Sequence, residues 1–305
     1  IGLRIMLPWT WTIAYRRFNQ GVLIRFGHSR TVGAGTIVRL SADLIILVVG
    51  LAIGTVPGIV VATLAVASGV TSEAIFAGIK VRPVLRTELA VAPPVDPPLT
   101  YRAFFVFYVP LVFTSLLSLI AQPMGSAALS RMPDPLSSLA VWPVVTGLVF
   151  MIRGLGIAFN EVVVALLDEP GTRQVLERFT VLLIVATTGI LVLLTATPLS
   201  RLWFAGVSAL PPDLVALAIT ALWLALPLPA LSSLQSWFQG RLLHSRYTRG
   251  ITESVLVFLA IGVAILMSGV LWGGMTGLYV GMIGLVASMA GQTAWLGVRA
   301  RTTRS

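Results

Sequence analysis

The sequence predicts an all-α, polytopic membrane protein, and three observations predict it. Hydrophobic residues make up 57% of the 305-residue chain and charged residues only 10%, against roughly 25% charged in an average soluble domain. The mean hydropathy is +0.95. The apolar residues also fall in long runs, and the basic residues gather between them. So little polar surface does not coat a water-soluble body of this size. In lipid the backbone must satisfy its own hydrogen bonds, which a helix does within a single segment.

Nine runs reach the length of about 20 residues that a spanning helix needs. They cover 1–25, 31–54, 57–80, 103–125, 138–167, 178–199, 213–240, 250–270 and 273–298. The first, fourth, fifth and seventh contain Pro8, Pro110, Pro143, Pro227 and Pro229, where kinks are expected. Neighbouring helices and waters re-satisfy the carbonyls that proline frees.

The loops give an orientation. The first carries Arg25 and Arg30, and the third Lys80, Arg82 and Arg86 with Arg102 at its far edge. The fifth has Arg173 and Arg178, diluted by Asp168, Glu169 and Glu177. The seventh has Arg241, Arg246 and Arg249, and the tail Arg299, Arg301 and Arg304. The second and eighth loops carry no Lys or Arg, and the fourth and sixth one each, Arg131 and Arg201. The odd loops and the C-terminus are therefore expected in the cytoplasm, with the chain integral to a bacterial inner (plasma) membrane.

The net charge is +10 and the pI about 11.3. In a soluble protein that balance points to nucleic acid. Here it reflects the loops just described, so the expected partners are membrane lipids and a small-molecule or lipid-linked substrate, with no nucleic acid. There is no cysteine, which excludes disulfides, thiolate metal ligands and thiol nucleophiles. Two histidines, His28 and His244, are too few for a convincing metal site. No phosphate-binding GxxxxGK[ST] loop is present. No cofactor, no metal and no enzymatic reaction are therefore expected.

Residues 1–82 read as three spans and 101–305 as a six-helix bundle. The linker between them, 83–100, carries Pro83, Pro93, Pro94, Pro97 and Pro98 and is expected to be extended rather than helical. The three early spans recur late in the chain. An ungapped offset of 219 residues places Pro8 on Pro227, Gln20-Gly21 on Gln239-Gly240 and Arg30 on Arg249. It also places Gly50 on Gly269, Gly58 on Gly277 and Arg82 on Arg301. Pro, Gln-Gly and Arg are not apolar filler, so the match reads as an internal repeat rather than a coincidence of Leu- and Val-rich segments. An even number of spans separates the two copies, so both share one orientation, a parallel repeat about an axis along the membrane normal. The middle spans lack a partner, so the expectation is a six-plus-six architecture with its first three helices missing from a chain that opens on Ile1.

Leu7-Pro8-Trp9 through Arg16-Arg17-Phe18-Asn19-Gln20-Gly21-Val22-Leu23-Ile24-Arg25 resembles the fourth helix of the multidrug/oligosaccharidyl-lipid/polysaccharide exporter superfamily, which includes the MATE-like transporters. The segment resembles in particular the progressive-ankylosis branch. Pro110-Leu111, Pro123 and Ser130-Arg131 are similar to the seventh helix of that branch. Gly156-Ile157-Ala158-Phe159-Asn160-Glu161, followed by Asp168, is similar to its eighth. The resemblance implies two six-helix bundles around a central cavity, alternating access, and export coupled to a proton or sodium gradient or to membrane potential. Progressive-ankylosis proteins are associated with export of pyrophosphate, ATP or citrate. Where that branch has basic residues between the two prolines, this chain has Ser115, Ser118 and Gln122, which argues against a polyanionic substrate.

Ionisable residues within spans are costly and often functional. Arg153, Asn160 and Glu161 share one face of the fifth span with Ile157. Gly154 and Gly156 beside them permit close helix approach or local unwinding. Arg153 would bind an anionic group or a carboxylate, and Glu161 would be a proton or cation site. Gln235 and Gln239 in the seventh span, spaced for one helix face, can face the same cavity. Arg39 and Asp43 are spaced for an ion pair, either structural or part of transport. Glu73 either carries coupling protons or makes a structural hydrogen bond, its repeat partner being Gln292. Arg16 and Arg17, with Asn19 and Gln20, either line the cavity, or snorkel to an interface, or mark a break in the helix. Trp9, Trp11, Trp142, Trp203, Trp223, Trp237, Trp272 and Trp295 read as interface anchors.

The leading expectation is thus a secondary active exporter of a small organic anion or drug-like solute. A lipid-linked oligosaccharide flippase is the alternative within transport. A membrane-embedded transferase or a non-transporting subunit is the alternative outside it, but His28 and His244 lack carboxylate neighbours in sequence apart from Glu253.

Overall fold

The computed structural model describes residues 2–93, 100–167, 171–245 and 247–302, without the side chains of residues 103, 106, 107, 110, 111, 114, 115, 118, 122 and 165. Among the described residues every regular element is helical: α1 (Gly2–Ile5), α2 (Leu7–Arg25), α3 (Ser29–Ile53), α4 (Gly58–Thr87), α5 (Tyr101–Leu129), α6 (Pro135–Leu166) and α7 (Thr172–Ala196) come first. Then follow α8 (Leu199–Arg201), a π-helical stretch (Leu202–Val207), α9 (Pro212–Leu224), α10 (Leu228–His244), α11 (Arg249–Trp272) and α12 (Gly277–Thr302). Among the described residues seven segments are long and apolar enough to cross a membrane: α3, α4, α6, α7, α9 joined with α10, α11 and α12. The chain is thus an all-α polytopic membrane protein. The nine expected runs each overlie a helix or helix pair, but α2 and α5 are not among the seven: Arg16, Arg17, Asn19 and Gln20 interrupt the apolar character of α2, and several side chains of α5 lie outside the described residues.

The chain divides into two compact units, Ile1–Leu99 and Thr100–Ser305. In the first unit α2 and α4 pack together and α3 lies against α4. Leu40, Leu44, Leu47 and Leu51 of α3 are exposed, as suits a surface bathed in lipid. The expected break at Pro83 is corrected. The helix α4 runs through it to Thr87, because Val81 and Val84 are buried against Leu23 and hold the chain helical past the lost hydrogen bond. The rest of the expected linker, from residue 94, lies outside the described residues.

In the second unit a core of Val141, Val145, Val149, Leu191, Phe204, Leu222, Leu228, Leu278 and Met282 joins α6, α7, α9, α10 and α12. Buried threonines stay satisfied within their own helices: Thr180, Thr187 and Thr195 donate to the carbonyls of Leu176, Leu183 and Leu191 at 2.7, 2.7 and 2.6 Å. The prolines of the seventh run act differently from a kink. They divide it into α9 and α10, with Pro227 at the N-cap and Pro229 in the first turn of α10. Pro143 remains inside α6.

Equivalent positions at the 219-residue offset make matching contacts, each within its own unit. The helices α3 and α11 both end on left-handed glycines, Gly54 at φ 69° and Gly273 at φ 61°. A Cβ on Gly50 would stand 2.3 Å from Val61 Cγ1, and one on Gly269 would stand 2.4 Å from Val280 Cγ1. Lys80 lies over the Phe76 ring at 5.7 Å, and Arg299 over the Trp295 ring at 5.0 Å. Asp43 packs on Gly69, whereas at the equivalent place Gly262 faces Ser288, so bulk has changed sides.

Candidate functional site

The second unit holds a cavity of about 530 Å³ between α6, α10 and the start of α11. The helix α6 supplies Arg153, Ile157, Asn160 and Glu161, and α10 supplies Ser232, Gln235, Ser236, Gln239 and Leu243. Thr248, Ile251 and Thr252 close the end nearest the α10–α11 turn. Two glycines let the walls approach. A Cβ on Gly156 would meet Ser233 Oγ at 2.8 Å, and one on Gly240 would meet Val163 Cγ1 at 2.6 Å. Gly154 has open space beside it, so of the expected pair only Gly156 sits at the seam.

Arg153 Nε donates to Ser232 Oγ at 2.5 Å, and Ser232 in turn donates to Leu228 O at 2.9 Å. This fixes the guanidinium against α10 with its remaining donors available to the cavity. Asn160 Nδ2 reaches Ser236 O at 3.5 Å, at the outer limit of a hydrogen bond. Glu161 is exposed on the α6 rim. The site therefore offers one fixed cation, one solvated carboxylate and a wall of amides and hydroxyls, with Ile157, Leu243 and Ile251 between them. Such a set presents hydrogen-bond donors, acceptors and both signs of charge to a polar solute.

The structure brings Arg153, Asn160, Glu161, Gln235 and Gln239 together. It places Arg16, Arg17, Gln20, Arg39, Asp43 and Glu73 elsewhere, in the first unit. Glu73 is 1% exposed; Arg16 pairs with one of its oxygens and Gln20 Nε2 donates to the other at 2.9 Å. Arg16 thus neither snorkels nor stands open; the carboxylate across the α2–α4 contact holds it inside. Arg17, its neighbour on the opposite face, is exposed. Arg39 and Asp43 stand 3.8 Å apart as an ion pair, but Arg39 Nε and Asp43 Oδ1 are buried without a hydrogen-bond partner among the described residues. The side chain of Gln122, those of Ser115 and Ser118, and Asp168 lie outside the described residues.

Two further readings are corrected. His28 has a carboxylate neighbour after all, Glu88 Oε1 at 2.9 Å, brought near because α4 extends past Pro83. Trp237 is buried in a core with Phe159, Val163 and Leu176 and lies under Arg241, so it is packing rather than an interface anchor. Sequence reasoning missed Ser232, Ser236, Thr248 and Thr252. The serines were within reach, since Ser232 and Ser236 share the helical spacing of Gln235 and Gln239; Thr248 stands at the N-cap of α11 and Thr252 lies in its first turn, and their approach to α6 and α10 is not given by spacing. Comparison with family models, with curated proteins and with solved structures gives no match to this chain.

Proposed function

We propose that this protein is a secondary active membrane exporter or flippase, working by alternating access between helix bundles, and not an enzyme. The observation that carries the reading is the half-open cavity inside a body of apolar helices, with Arg153, Glu161, Asn160, Gln235 and Gln239 on its largely apolar walls and Arg153 held part-way along α6. An ionisable residue at that depth faces a watery path or a bundle interior, and such residues mark substrate and ion routes. Its lining reaches the α10–α11 turn, the end of the bundle that carries Arg241, Arg249, Arg299 and Arg301. By the positive-inside rule that end is cytoplasmic, where an exporter loads. The resemblance to MATE-like exporters of the multidrug/oligosaccharidyl-lipid/polysaccharide superfamily supports the same reading, with H⁺ or Na⁺ as the coupling ion of an antiporter.

The test is uptake and counterflow in proteoliposomes. The panel is citrate, pyrophosphate, a cationic dye, a short peptide and a fluorescent polyprenyl-linked sugar, each with Arg153→Ala and Glu161→Gln. Movement of one solute by the wild type, lost in both variants, is the expected result. Movement untouched by either substitution discards the site and keeps the transporter. No movement of any solute by folded protein overturns the reading.

A further inference from the structure

The cavity carries two opposite charges that do not meet. Among the described residues neither Arg153 nor Glu161 takes part in an ion pair. Both line the same cavity from α6. At a rise of about 1.5 Å per residue they are roughly 12 Å apart along the helix axis. Both side chains lean toward the helix N-terminus, which preserves that separation.

The charge pattern restricts what binds. A polyanion finds a single cation and a repelling carboxylate. A simple cation leaves Arg153 without a counter-charge in a half-buried place. A solute with one carboxylate and one ammonium satisfies both ends. Allowing about 3 Å for the contact at each end, its charges stand roughly 6 Å or more apart. An α-amino acid is too short, whereas successive residues of an extended peptide advance its termini by about 3.8 Å each.

The wall between the charges favours the same ligand. Asn160, Gln235 and Gln239 each present a carbonyl acceptor and an NH₂ donor, which match the N–H and C=O of peptide bonds. A volume of about 530 Å³ accommodates a chain of a few residues. We propose that the cavity takes a short zwitterionic peptide, its carboxylate on Arg153, its ammonium at Glu161 and its amides on the Asn160, Gln235 and Gln239 side chains. This rests on the cavity being the solute site of the proposed transporter.

The test is equilibrium binding of labelled triglycine to the purified full chain in detergent, beside N-acetyl-triglycine, triglycinamide, glycine and citrate. Saturable triglycine binding is expected, with each of the other four at least tenfold weaker. Arg153→Glu and Glu161→Arg are each expected to lose at least tenfold. The double reversal R153E/E161R regains most of that loss, because a zwitterion can turn round and a folding defect cannot be repaired that way. Binding of the acetylated peptide, the amide or citrate as tightly as triglycine overturns the proposal, as does no triglycine binding by folded protein. A solute transported by the wild type and lost in Arg153→Ala, without triglycine binding, overturns the peptide proposal and leaves the transporter. Triglycine bound but never moved across a vesicle leaves the peptide site and removes the transporter.

Discussion

Arg16 and Glu73 form a buried ion pair between α2 and α4, and the positions equivalent to them in the later helices are Gln235 and Gln292. The 219-residue offset thus sets two charges of the first unit against two neutral amides of the second. Removing one member leaves an uncompensated charge inside the bundle, which costs about 3–5 kcal/mol. Glu73→Gln is therefore expected to lower the unfolding midpoint in detergent sharply. The double variant R16Q/E73Q installs the residues of the equivalent positions and is expected to recover most of that loss. A double variant as unstable as the single one would show that the pair does more than neutralise itself.

The Gly50–Val61 and Gly269–Val280 contacts predict a second pattern. Alanine at either glycine drives its Cβ to within 2.3 or 2.4 Å of a valine methyl. Each substitution is expected to cost about 1–3 kcal/mol through overpacking. Val61→Ala is expected to relieve Gly50→Ala, and Val280→Ala to relieve Gly269→Ala, with coupling energies of about 0.5–3 kcal/mol in each cycle. Thermal unfolding of the four single and two double variants measures both. Coupling in one helix pair and none in the other would break the correspondence between them.

How much of this was legible depends on whether it follows from one helix or from two. The face shared by Arg153, Ile157, Asn160 and Glu161 follows from helical period alone, and a mid-span arginine has few places to point. The Gln235 and Gln239 pair follows in the same way, and the cavity gathers all of them. What period does not give is the partner across a helix contact. Glu73 was read beside its equivalent Gln292, but its ligands are Arg16 and Gln20 on a different helix. Pro83 was read as a terminator because local chemistry ends helices there, but burial of Val84 beyond it overrides that preference. Ser232 shares the helical spacing of Gln235, but its role as acceptor of the Arg153 Nε–H follows only from the contact between α6 and α10.

The seam between α6 and α10 makes a third prediction. Gly240→Ala places a methyl 2.6 Å from Val163 Cγ1 and against the Asn160 carbonyl at 3.4 Å, so the helices must part. The expected cost is about 1–3 kcal/mol, with solute binding weakened because the amides of the two walls no longer face one another. Gly154→Ala, on α6 with nothing within 4 Å of the added methyl, is expected to be neutral or to stabilise by up to about 1 kcal/mol through helix propensity. Equal losses in both variants, measured by thermal unfolding, would mean that the close approach is not what holds the seam.

The fourth prediction separates the charge of Arg153 from its aim. Ser232 spends its own proton on the Leu228 carbonyl, so its lone pairs are what receive the Arg153 Nε–H at 2.5 Å. The bond costs Arg153 one donor and in return fixes the plane of the guanidinium, leaving the two terminal nitrogens to present a fork to a carboxylate. Ser232→Ala keeps the cation but frees its direction, and is expected to weaken solute binding about threefold to tenfold, the range of one ordinary hydrogen bond. Ser232→Thr keeps the hydroxyl and is expected to retain binding. Arg153→Lys keeps a charge but has neither the Nε donor nor the fork, so its loss is expected to exceed that of Ser232→Ala. Dissociation constants for the three variants, taken with the same labelled solute, order them. If Lys at 153 binds as well as Arg, the site reads charge alone, and Ser232 is then only part of the wall.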